Sequence, residues 1–588
     1  MKKTPQSLKS IFKDAHQNYR KGNITIAESS CYKILSIDTN HIEAKILLAN
    51  ICANNKDYKK GKILLKEVID SDPKNISALN NLGIIYRALR EHSNAKNCYE
   101  QVIKINPKNP NAYYNLGALF YELNDLQEAK SSFYKSTDLE PGFAIAFLAL
   151  GNAHKALKEN ESAIKNYQQA ININSNLVSA HNNLGLVFRN INDLDNAIKC
   201  YKKAIQVRPD HIGAHHNLAL ALKEIGKFDE SAASHKIAIE HEPENLSHYY
   251  YLSEIQPNIL KPDLKIKIEE VMKKNTSNKN NLAFGNYLIS KFKKKENFFE
   301  EEMKHLKRGH QGFYEMEKNK FDLVINYYFK DMLQIEKEAK IEKSSSKYES
   351  ELSPIFIIGV PRSGSTLIEK IIASGKTHVP MGEEISVFED YITKKIMDKK
   401  SLNLGDVSTI RLELINAYKQ KGLILKKNEN IFTDKTLNNF FYLRLIKIIY
   451  PNSKIIHCTR DITSSVMSIY QNNLSELAWA HDLNNIFQYF DNCFKIIKNF
   501  KKENPNTIYN LEYEKLVNNP IEESKKIMDY CELTWSKKCL EFYKRKDLVS
   551  KTASNVQIRN RIYKNSLNKY LPYKSFLNEY GKKYSWFN

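Results

Sequence analysis

One small residue recurs at a fixed spacing along the first half of the chain. Alanine stands at six positions, each 34 residues after the one before it: Ala44, Ala78, Ala112, Ala146, Ala180 and Ala214. Leucine follows each of these alanines by four residues, and a second small residue recurs at the same spacing from Ala27 to Ser231. A period of about 20 to 50 residues is typical of proteins built from stacked copies of one supersecondary unit. This period constrains the fold more than any other feature of the sequence.

Each unit has the pattern of a helix pair. Small residues let two helices approach closely, large apolar residues fill the space between them, and a proline stops the second helix. Such prolines stand at Pro73, Pro107, Pro141, Pro209 and Pro243. The pattern resembles the tetratricopeptide repeat over about residues 7 to 245. We therefore predict an α-solenoid over residues 1–245, and the resemblance implies that its groove binds a protein or peptide.

Asparagine precedes four of the repeat leucines, at Asn81, Asn115, Asn183 and Asn217. Because these residues recur at one place per repeat, we expect them to line up along the groove. Their amides could donate to and accept from an extended peptide backbone. The alternative is that asparagine simply fits this position of the repeat.

Composition excludes several classes of protein. The net charge of +22 predicts attraction to polyanions, but it comes from lysines scattered over both halves, so we predict no nucleic-acid partner. No apolar run is long enough to span a bilayer, and the first residues lack the apolar stretch of a secretory signal. The eight cysteines form no C-x-x-C pair and have no metal-ligand spacing. We expect free thiols in the cytoplasm and no protein-bound metal.

The second half begins after an irregular, lysine-rich stretch. Residues 246–350 contain helical patches, and we interpret them as a helical connector. A polar run ends this stretch, and residues 351–588 form the third predicted domain. There "IFIIGV" predicts a buried parallel strand, and "PRSGSTLIEKIIASG" predicts a turn followed by a helix.

This strand, turn and helix resemble a phosphate-binding loop with one departure. The two glycines of G-x-x-x-x-G-K-[ST] are present, but Ser365 replaces the lysine that reaches the β/γ-phosphates of a nucleotide triphosphate. Backbone amides at the helix N-terminus, two hydroxyls and Arg362 could instead hold a donor with fewer charges, without a metal. The sulfuryl donor 3′-phosphoadenosine 5′-phosphosulfate fits this description.

At these residues the chain resembles the sulfotransferases, and most closely the tyrosylprotein sulfotransferase branch, over roughly residues 354 to 575. The resemblance rests on the ordered blocks "GVPRSGSTL", "MGEEISVF", "DKTLNN", "KIIHCTRDITSSVMSIY", "LEYEKLV" and "TASNVQIRNRIYKNSLNKYLPY". It implies an α/β three-layer P-loop-like domain with a parallel sheet, acting as an enzyme that uses this donor. The implied donor-binding residues are Arg362, Ser363, Gly364, Ser365, Thr366, Arg460, Ser468, Tyr513, Ser554 and Lys569.

The resemblance also implies two catalytic residues, Glu384 as the base and Lys435. Glu383 is the rival for the base, since adjacent residues point in different directions and the sequence does not say which faces the pocket. Sulfuryl transfer resembles phosphoryl transfer, in which positioning and charge stabilisation supply most of the catalysis. We expect Glu384 to remove the proton of an acceptor hydroxyl. Lys435, Ser365 and Thr366 would stabilise charge on the sulfuryl oxygens and the departing phosphate.

Two departures from that branch leave the acceptor open. Ser386 and Asn472 stand where the tyrosylprotein enzymes carry arginines. The acceptor hydroxyl is therefore predicted to lie on a protein, with tyrosine as one option, or on a glycan. The alternatives are a nucleotide kinase or NTPase, disfavoured by the missing loop lysine, and a non-catalytic repeat scaffold.

Overall fold

The computed structural model describes residues 5–342, 352–399, 401–424, 430–545, 559–562 and 569–587. Its contacts divide the chain into two compact units, Met1–Asn217 and Leu218–Asn588. The described part of the first unit is helical, and the second combines helices with parallel strands. The boundaries predicted near residues 245 and 350 stay predictions.

The repeat region consists of helices, and those from α1 to α12 pack consecutively, which confirms the predicted α-solenoid. The helices are α1 Pro5–Arg20, α2 Ile24–Leu35, α3 Ile42–Asn54, α4 Tyr58–Ser71, α5 Ile76–Ala88, α6 His92–Ile105, α7 Pro110–Glu122, α8 Leu126–Leu139, α9 Ala144–Ala156, α10 Asn160–Ile173, α11 Val178–Asn190, α12 Leu194–Val207, α13 Ile212–Ile225 and α14 Phe228–His241.

Side-chain caps fix where these helices begin. The Asn75 side chain accepts a hydrogen bond from the backbone N–H of Ala78 at the start of α5, and Asn109 does the same for Ala112 at the start of α7. Both alanines are fully buried. The repeated alanine is therefore both the third helical residue and a fully buried one.

Close approach of the paired helices explains the glycine that follows several repeat leucines. A Cβ atom added at Gly117 of α7 would lie 2.8 Å from the Phe133 ring of α8, and one at Gly185 of α11 would lie 2.6 Å from the Tyr201 ring of α12. Both rings are buried. The glycine and the ring therefore form a matched pair, in which the space left by one residue is filled by the other.

Helices also lead from the repeats to the sheet. They are α15 Leu246–Ile255, α16 Pro262–Lys274, α17 Lys279–Lys295, α18 Phe299–Met316, α19 Lys318–Asn326 and α20 Met332–Glu338, with a 3₁₀ turn at Pro257–Ile259 and a π-helical turn at Tyr327–Asp331. Tyr250, Tyr287 and Met332 from these helices belong to the same buried cluster as Phe356 of the sheet. The segment predicted as a connector is thus part of the core of the second unit.

The remaining elements belong to the α/β part of the second unit. The strands are β1 Lys340–Glu342, β2 Ile355–Gly359, β3 Asn403–Asp406, β4 Thr433–Asp434, β5 Lys454–Thr459 and β6 Ile508–Glu512. The helices are α21 Ser365–Ala373, α22 Val387–Lys399, α23 Val407–Gln420, α24 Leu443–Ile449, α25 Ile462–Tyr470, α26 Leu483–Glu503, α27 Tyr513–Asn518, α28 Pro520–Tyr530 and α29 Lys574–Gly581. Further 3₁₀ segments are Leu437–Tyr442, Ala478–His481, Lys537–Lys544 and Leu571–Tyr573.

The main sheet is parallel, in the order β4-β2-β5-β6, and it is covered on both faces. Phe356 and Ile358 of β2 belong to one buried cluster, and Ile355 and Ile357 belong to another. Alternate side chains of a strand point to opposite faces, so this division places apolar layers on both sides of the sheet. The predicted three-layer α/β fold with a parallel sheet is confirmed. A separate short parallel pair joins β1 and β3.

Several predicted site residues directly follow strands of the main sheet. Lys435 follows β4, Arg460 follows β5, Tyr513 follows β6, and Arg362 lies three residues after β2. The carboxyl ends of parallel strands meet at one edge, which is where open α/β sheets bind ligands. The topology therefore brings these four positions to the same edge.

The glycine and ring pairs of the repeats can be tested with one substitution. We expect Gly117→Ala to lower the free energy of unfolding by about 1–3 kcal/mol, because the new methyl group overlaps the buried Phe133 ring. Thermal unfolding followed by circular dichroism measures the effect. Gly213→Ala is the matched control, because a Cβ there comes no nearer than 3.4 Å to another residue. Equal melting temperatures for the two variants would contradict this account of the packing.

Candidate functional site

The loop between β2 and α21 packs tightly against the start of α27. Gly364 has a φ of 98°, and a Cβ atom there would lie 2.5 Å from a ring carbon of Tyr513. Arg362 also has a left-handed backbone, with a φ of 69°. Only glycine meets both demands at position 364, so the loop follows the surface of Tyr513 closely.

The same loop presents hydroxyl groups at the N-terminus of α21. Ser363, Ser365 and Thr366 are buried, and the Ser363 Oγ has no hydrogen-bond partner among the described residues. The first N–H groups of a helix have no acceptor within that helix, and the helix dipole favours negative charge there. This end of α21 therefore has the features of an anion-binding site.

Two arginines meet above this loop. The Arg362 Nε donates a hydrogen bond to the Ser468 Oγ of α25 at 2.9 Å, and the Arg460 Nη1 donates to the Arg362 carbonyl at 3.2 Å. The Arg460 guanidinium also lies 4.6 Å from the centre of the Tyr513 ring. Asp461 next to it caps α25, accepting from the Ser464 N–H at 2.7 Å. Arg362, Arg460, Ser468 and Tyr513 are thus brought together.

Two lysines lie close to the ring of Tyr570. The Lys569 and Lys294 ammonium groups lie 5.1 and 5.5 Å from the centre of its ring. Burial acts to raise the pKa of Tyr570, but the charges of Lys569, Lys294, Arg362 and Arg460 outweigh burial and lower it. Four cations therefore act on a single hydroxyl group. We call Arg362, Arg460, Lys569 and Lys294 the cation cluster.

Lys435 and Glu384 form an ion pair next to the loop. The Lys435 side chain has no exposed surface, and its Nζ lies 2.8 Å from the Glu384 Oε1. The Glu384 side chain is 49% exposed. Burial acts to lower the pKa of Lys435, but the charges of Glu384, Glu369 and Glu383 together hold it above its usual value. Lys435 is therefore a charged ammonium group under ordinary conditions.

Hydrogen bonds join the segment around Glu384 to the one around Lys435. The Gly382 N–H donates to the Thr433 Oγ1 at 3.2 Å, and the Lys435 N–H donates to the Glu383 carbonyl at 2.9 Å. The Ser386 N–H donates to the Thr436 Oγ1 at 3.0 Å. Residues 382–386 and 433–436 are thus fixed to each other along their lengths.

Comparison with known proteins agrees with this arrangement. Residues 354–537 match the family model described as "Sulfotransferase family". Models of the tetratricopeptide repeat match residues 42–75, 85–124, 110–143, 151–191 and 178–211. The chain carries a sulfotransferase-family domain after tetratricopeptide repeats.

Relatives of the chain match it in part. An uncharacterized protein of Aquifex aeolicus is 30% identical over 250 residues, which are 40% of this chain and 33% of that protein's length. A Caenorhabditis briggsae protein named "Putative protein-tyrosine sulfotransferase" is 24% identical over 217 residues, which are 35% of this chain and 77% of that protein. The crystal structure of MamA is 23% identical, with a TM-score of 0.26, and the match covers 28% of this chain and 95% of that structure.

Three residues of the candidate site escaped the sequence analysis. Lys294 belongs to the cation cluster, and Tyr570 is the residue on which that cluster acts. Lys294 stands among three successive lysines, and nothing in the sequence distinguishes it. Glu369 of α21 is the third. A charged residue on a helix usually faces solvent, but Glu369 has no exposed surface.

Glu369 contacts the segments that carry the ion pair. Its Oε1 accepts hydrogen bonds from the Glu383 N–H at 2.9 Å and from the Thr433 Oγ1 at 2.7 Å. Burial raises the pKa of Glu369 to about 7, with Lys435 acting to lower it and Glu383 to raise it.

The predicted donor contact Ser554 precedes two arginines that contact other parts of the chain. Ser554 falls outside the described residues. Arg559 donates to the Glu224 carbonyl at 2.9 Å, and Arg561 donates to the Tyr543 hydroxyl at 2.9 Å. Within the described ranges, no group of three or more His, Cys, Asp or Glu side chains could hold a metal ion. In the same ranges, no helix has the length and apolar character needed to cross a membrane.

The pKa of Glu369 predicts a pH-dependent stability. The Glu369 carboxyl group has a pKa of about 7 in the folded protein, above its ordinary value of 4.5, so it binds its proton more tightly in the folded state. Its contribution to the free energy of unfolding therefore falls as the pH rises through this interval. Glu369→Gln removes this titration, so relative to the wild type it should gain roughly 2 kcal/mol between about pH 5 and pH 8.

Calorimetric unfolding at the two pH values measures this gain. The exposed acid Glu579, replaced by glutamine, serves as the control and should show no such gain. Parallel pH profiles for the wild type and Glu369→Gln would contradict the raised pKa.

Proposed function

We propose that the sulfotransferase-family domain transfers a sulfuryl group from 3′-phosphoadenosine 5′-phosphosulfate to a hydroxyl acceptor. The observation that carries the proposal is the cation cluster next to a helix N-terminus whose loop lacks the lysine of nucleotide-binding loops. A donor with a 3′-phosphate and a 5′-phosphosulfate presents anionic groups at two places. The cluster and the loop supply two matching sets of donors.

The residues divide between these two sets. We assign the loop residues Arg362, Ser363, Gly364, Ser365 and Thr366 to the 5′-phosphosulfate, because they surround the N-terminus of α21.

We assign Arg460, Ser468 and Lys569 to the 3′-phosphate. Arg460 can present a planar fork of donors to a phosphate while its flat face rests on Tyr513. Ser554 remains a proposed donor contact.

The Lys435–Glu384 pair fits the role of proton acceptor and charge stabiliser. We propose that the half-exposed Glu384 carboxylate accepts the proton of the acceptor hydroxyl. The acceptor oxygen then bonds to sulfur as the bond from sulfur to the phosphate oxygen breaks. The products are a sulfate ester and the 3′,5′-bisphosphate, and Glu384 can release its proton to solvent. The Lys435 ammonium stabilises the negative charge that develops in this step.

Contact geometry supports Glu384 over Glu383 as the base. Lys435 pairs with the Glu384 carboxylate, whereas the backbone N–H and carbonyl of Glu383 hold the segment in place. A base that exchanges protons with substrate and solvent needs access to both, and Glu384 is the more exposed of the two glutamates.

We propose a polypeptide acceptor, held with help from the repeats, with a glycan as the alternative. Stacked repeats of this kind present an extended concave surface that suits a polypeptide. The asparagine hypothesis is weakened at two positions, because the Asn183 and Asn217 amides already donate to Asn152 and Asn182, each at 2.9 Å.

Tyrosine is one possible acceptor residue, and two departures bear on it. Asn472, in place of an arginine of the tyrosylprotein enzymes, donates to the Ser468 carbonyl at 2.6 Å. Ser386, the other departure, donates its N–H to Thr436.

We also propose a cytoplasmic location, which is consistent with the eight cysteines being free thiols.

The donor site is tested by titrating 3′-phosphoadenosine 5′-phosphate into the full chain by calorimetry, first in EDTA and then with Mg²⁺. We expect binding that does not depend on the metal. Arg460→Ala should weaken it by about tenfold or more, because a charge-assisted bond to phosphate is lost.

Arg308→Ala, which removes an exposed arginine from α18, is the control and should bind as the wild type does. Binding of Mg-ATP alone would instead point to a kinase or NTPase. No binding of either nucleotide would favour a scaffold.

The identity of the base is tested with two adjacent substitutions. Glu384→Gln should reduce donor consumption by about a hundredfold or more while leaving bisphosphate affinity unchanged, because general base catalysis is lost. Glu383→Gln keeps the backbone contacts and should retain most activity. The assay follows bisphosphate release with a panel of tyrosine peptides, glycans and water as acceptors. The opposite pattern would assign the base to Glu383.

A further inference from the structure

We propose that Glu369 is a positioning residue for the Glu384–Lys435 pair, because its carboxylate holds the backbone of Glu383 in the conformation that turns Glu384 toward Lys435. The inference deepens the proposed function and rests on it for the consequence in catalysis. Its structural part concerns only residues of this chain.

The conformation of Glu383 needs support. Its φ is 49°, in the left-handed region that residues with a Cβ rarely occupy. Such a conformation is unfavourable and persists only where its surroundings hold it. Ser386, three residues later, also has a left-handed backbone, with a φ of 52°. The segment therefore turns sharply on both sides of Glu384.

Glu383 is held at both of its backbone polar groups. Its N–H donates to the Glu369 Oε1 at 2.9 Å, and its carbonyl accepts from the Lys435 N–H at 2.9 Å. The acceptor of the first bond is the side chain of Glu369 on α21. The donor of the second bond is the backbone of Lys435, which also forms the ion pair with Glu384. Without Glu369, this partly buried N–H would lose its acceptor, which is unfavourable.

Glu369 also reaches the other half of the pair through Thr433. The Thr433 hydroxyl donates to the Glu369 Oε1 at 2.7 Å and accepts from the Gly382 N–H at 3.2 Å. Thr433 lies on β4, two residues before Lys435. A single carboxylate oxygen therefore links the turn that carries Glu384 with the strand that leads to Lys435.

The burial of Glu369 argues against a role in packing alone. Its neighbours on α21, Ile368, Ile371 and Ile372, are fully buried apolar residues, and another apolar side chain would suit this position. A carboxylate there is costly unless its hydrogen bonds are used, and the raised pKa of Glu369 reflects that cost. The other oxygen, Oε2, has no hydrogen-bond partner among the described residues. The carboxylate thus contributes the two bonds at Oε1 and negative charge close to Lys435.

Two variants of similar size separate the hydrogen bonds from the volume. Glu369→Gln keeps a carbonyl oxygen that can accept both bonds. Glu369→Met fills nearly the same space but accepts neither. Crystal structures of the full-length wild type and of both variants would show the backbone of Glu383 and the distance from the Lys435 Nζ to the Glu384 oxygens.

We expect the glutamine variant to keep the left-handed Glu383 and the ion pair. The methionine variant should lose both. In the activity assay, Glu369→Met should lower turnover by about tenfold or more, because a misplaced base loses the geometry that general base catalysis needs. Its affinity for 3′-phosphoadenosine 5′-phosphate should stay within about twofold of the wild type, since the cation cluster is untouched. Glu369→Gln should restore most of the turnover.

An unchanged Glu383 backbone and ion pair in Glu369→Met would overturn the proposal. So would equal losses of turnover in the two variants, because the volume or the charge would then matter more than the two bonds. If Glu369→Met does not fold, Thr433→Val removes one of the two bonds and should lengthen the distance between Lys435 and Glu384. A wild type that binds no bisphosphate would refute the proposed function, but the crystal structures would still decide the role of Glu369.

Discussion

The positive charge of Lys435 lies at a position without exposed surface, and the arrangement of the surrounding segments depends on compensating it. An isolated buried ammonium group costs several kcal/mol, so carboxylates must approach it closely. Glu384 pairs with it directly, and Glu369 and Glu383 add to the local negative charge. This requirement explains why residues 382–386 adopt a strained turn, which would be unfavourable without the charge and hydrogen bonds that it satisfies.

The parallel sheet places the Lys435–Glu384 pair beside the positively charged cation cluster. On one side are the four cations of the cluster, which act together on Tyr570, and on the other is a lysine whose charge is already matched by carboxylates. Under the proposed function, the first region would attract the anionic donor, and the second would hold the base Glu384 beside Lys435. Arg362, Arg460 and Lys435 lie at or near the carboxyl ends of neighbouring strands, whereas Lys294 and Lys569 of the cation cluster come from other elements.

The sequence predicted those features that depend on local or repeated patterns. The repeat helices were predictable because each unit packs against its neighbours in the chain, and β2 and β5 because burial on both faces makes a strand continuously apolar. The two-residue strand β4 is too short to give such a pattern, although Lys435 follows it. Glu369 and Lys294 could not be predicted, because their roles depend on burial and on residues distant in the chain.

The helices that precede the main sheet, which the sequence predicted as a connector, are hydrogen-bonded to the end of α25. Gln471, directly after α25, accepts a hydrogen bond from Lys294 of α17 and donates one to Glu302 of α18 at 2.7 Å. The end of α25 is thereby fixed to both of these helices. Ser468, which accepts from Arg362, lies on α25 three residues before Gln471. The hydrogen bond from Arg362 to Ser468 is therefore tied, through α25, to helices that precede the matched sulfotransferase region, and so is the proposed donor site.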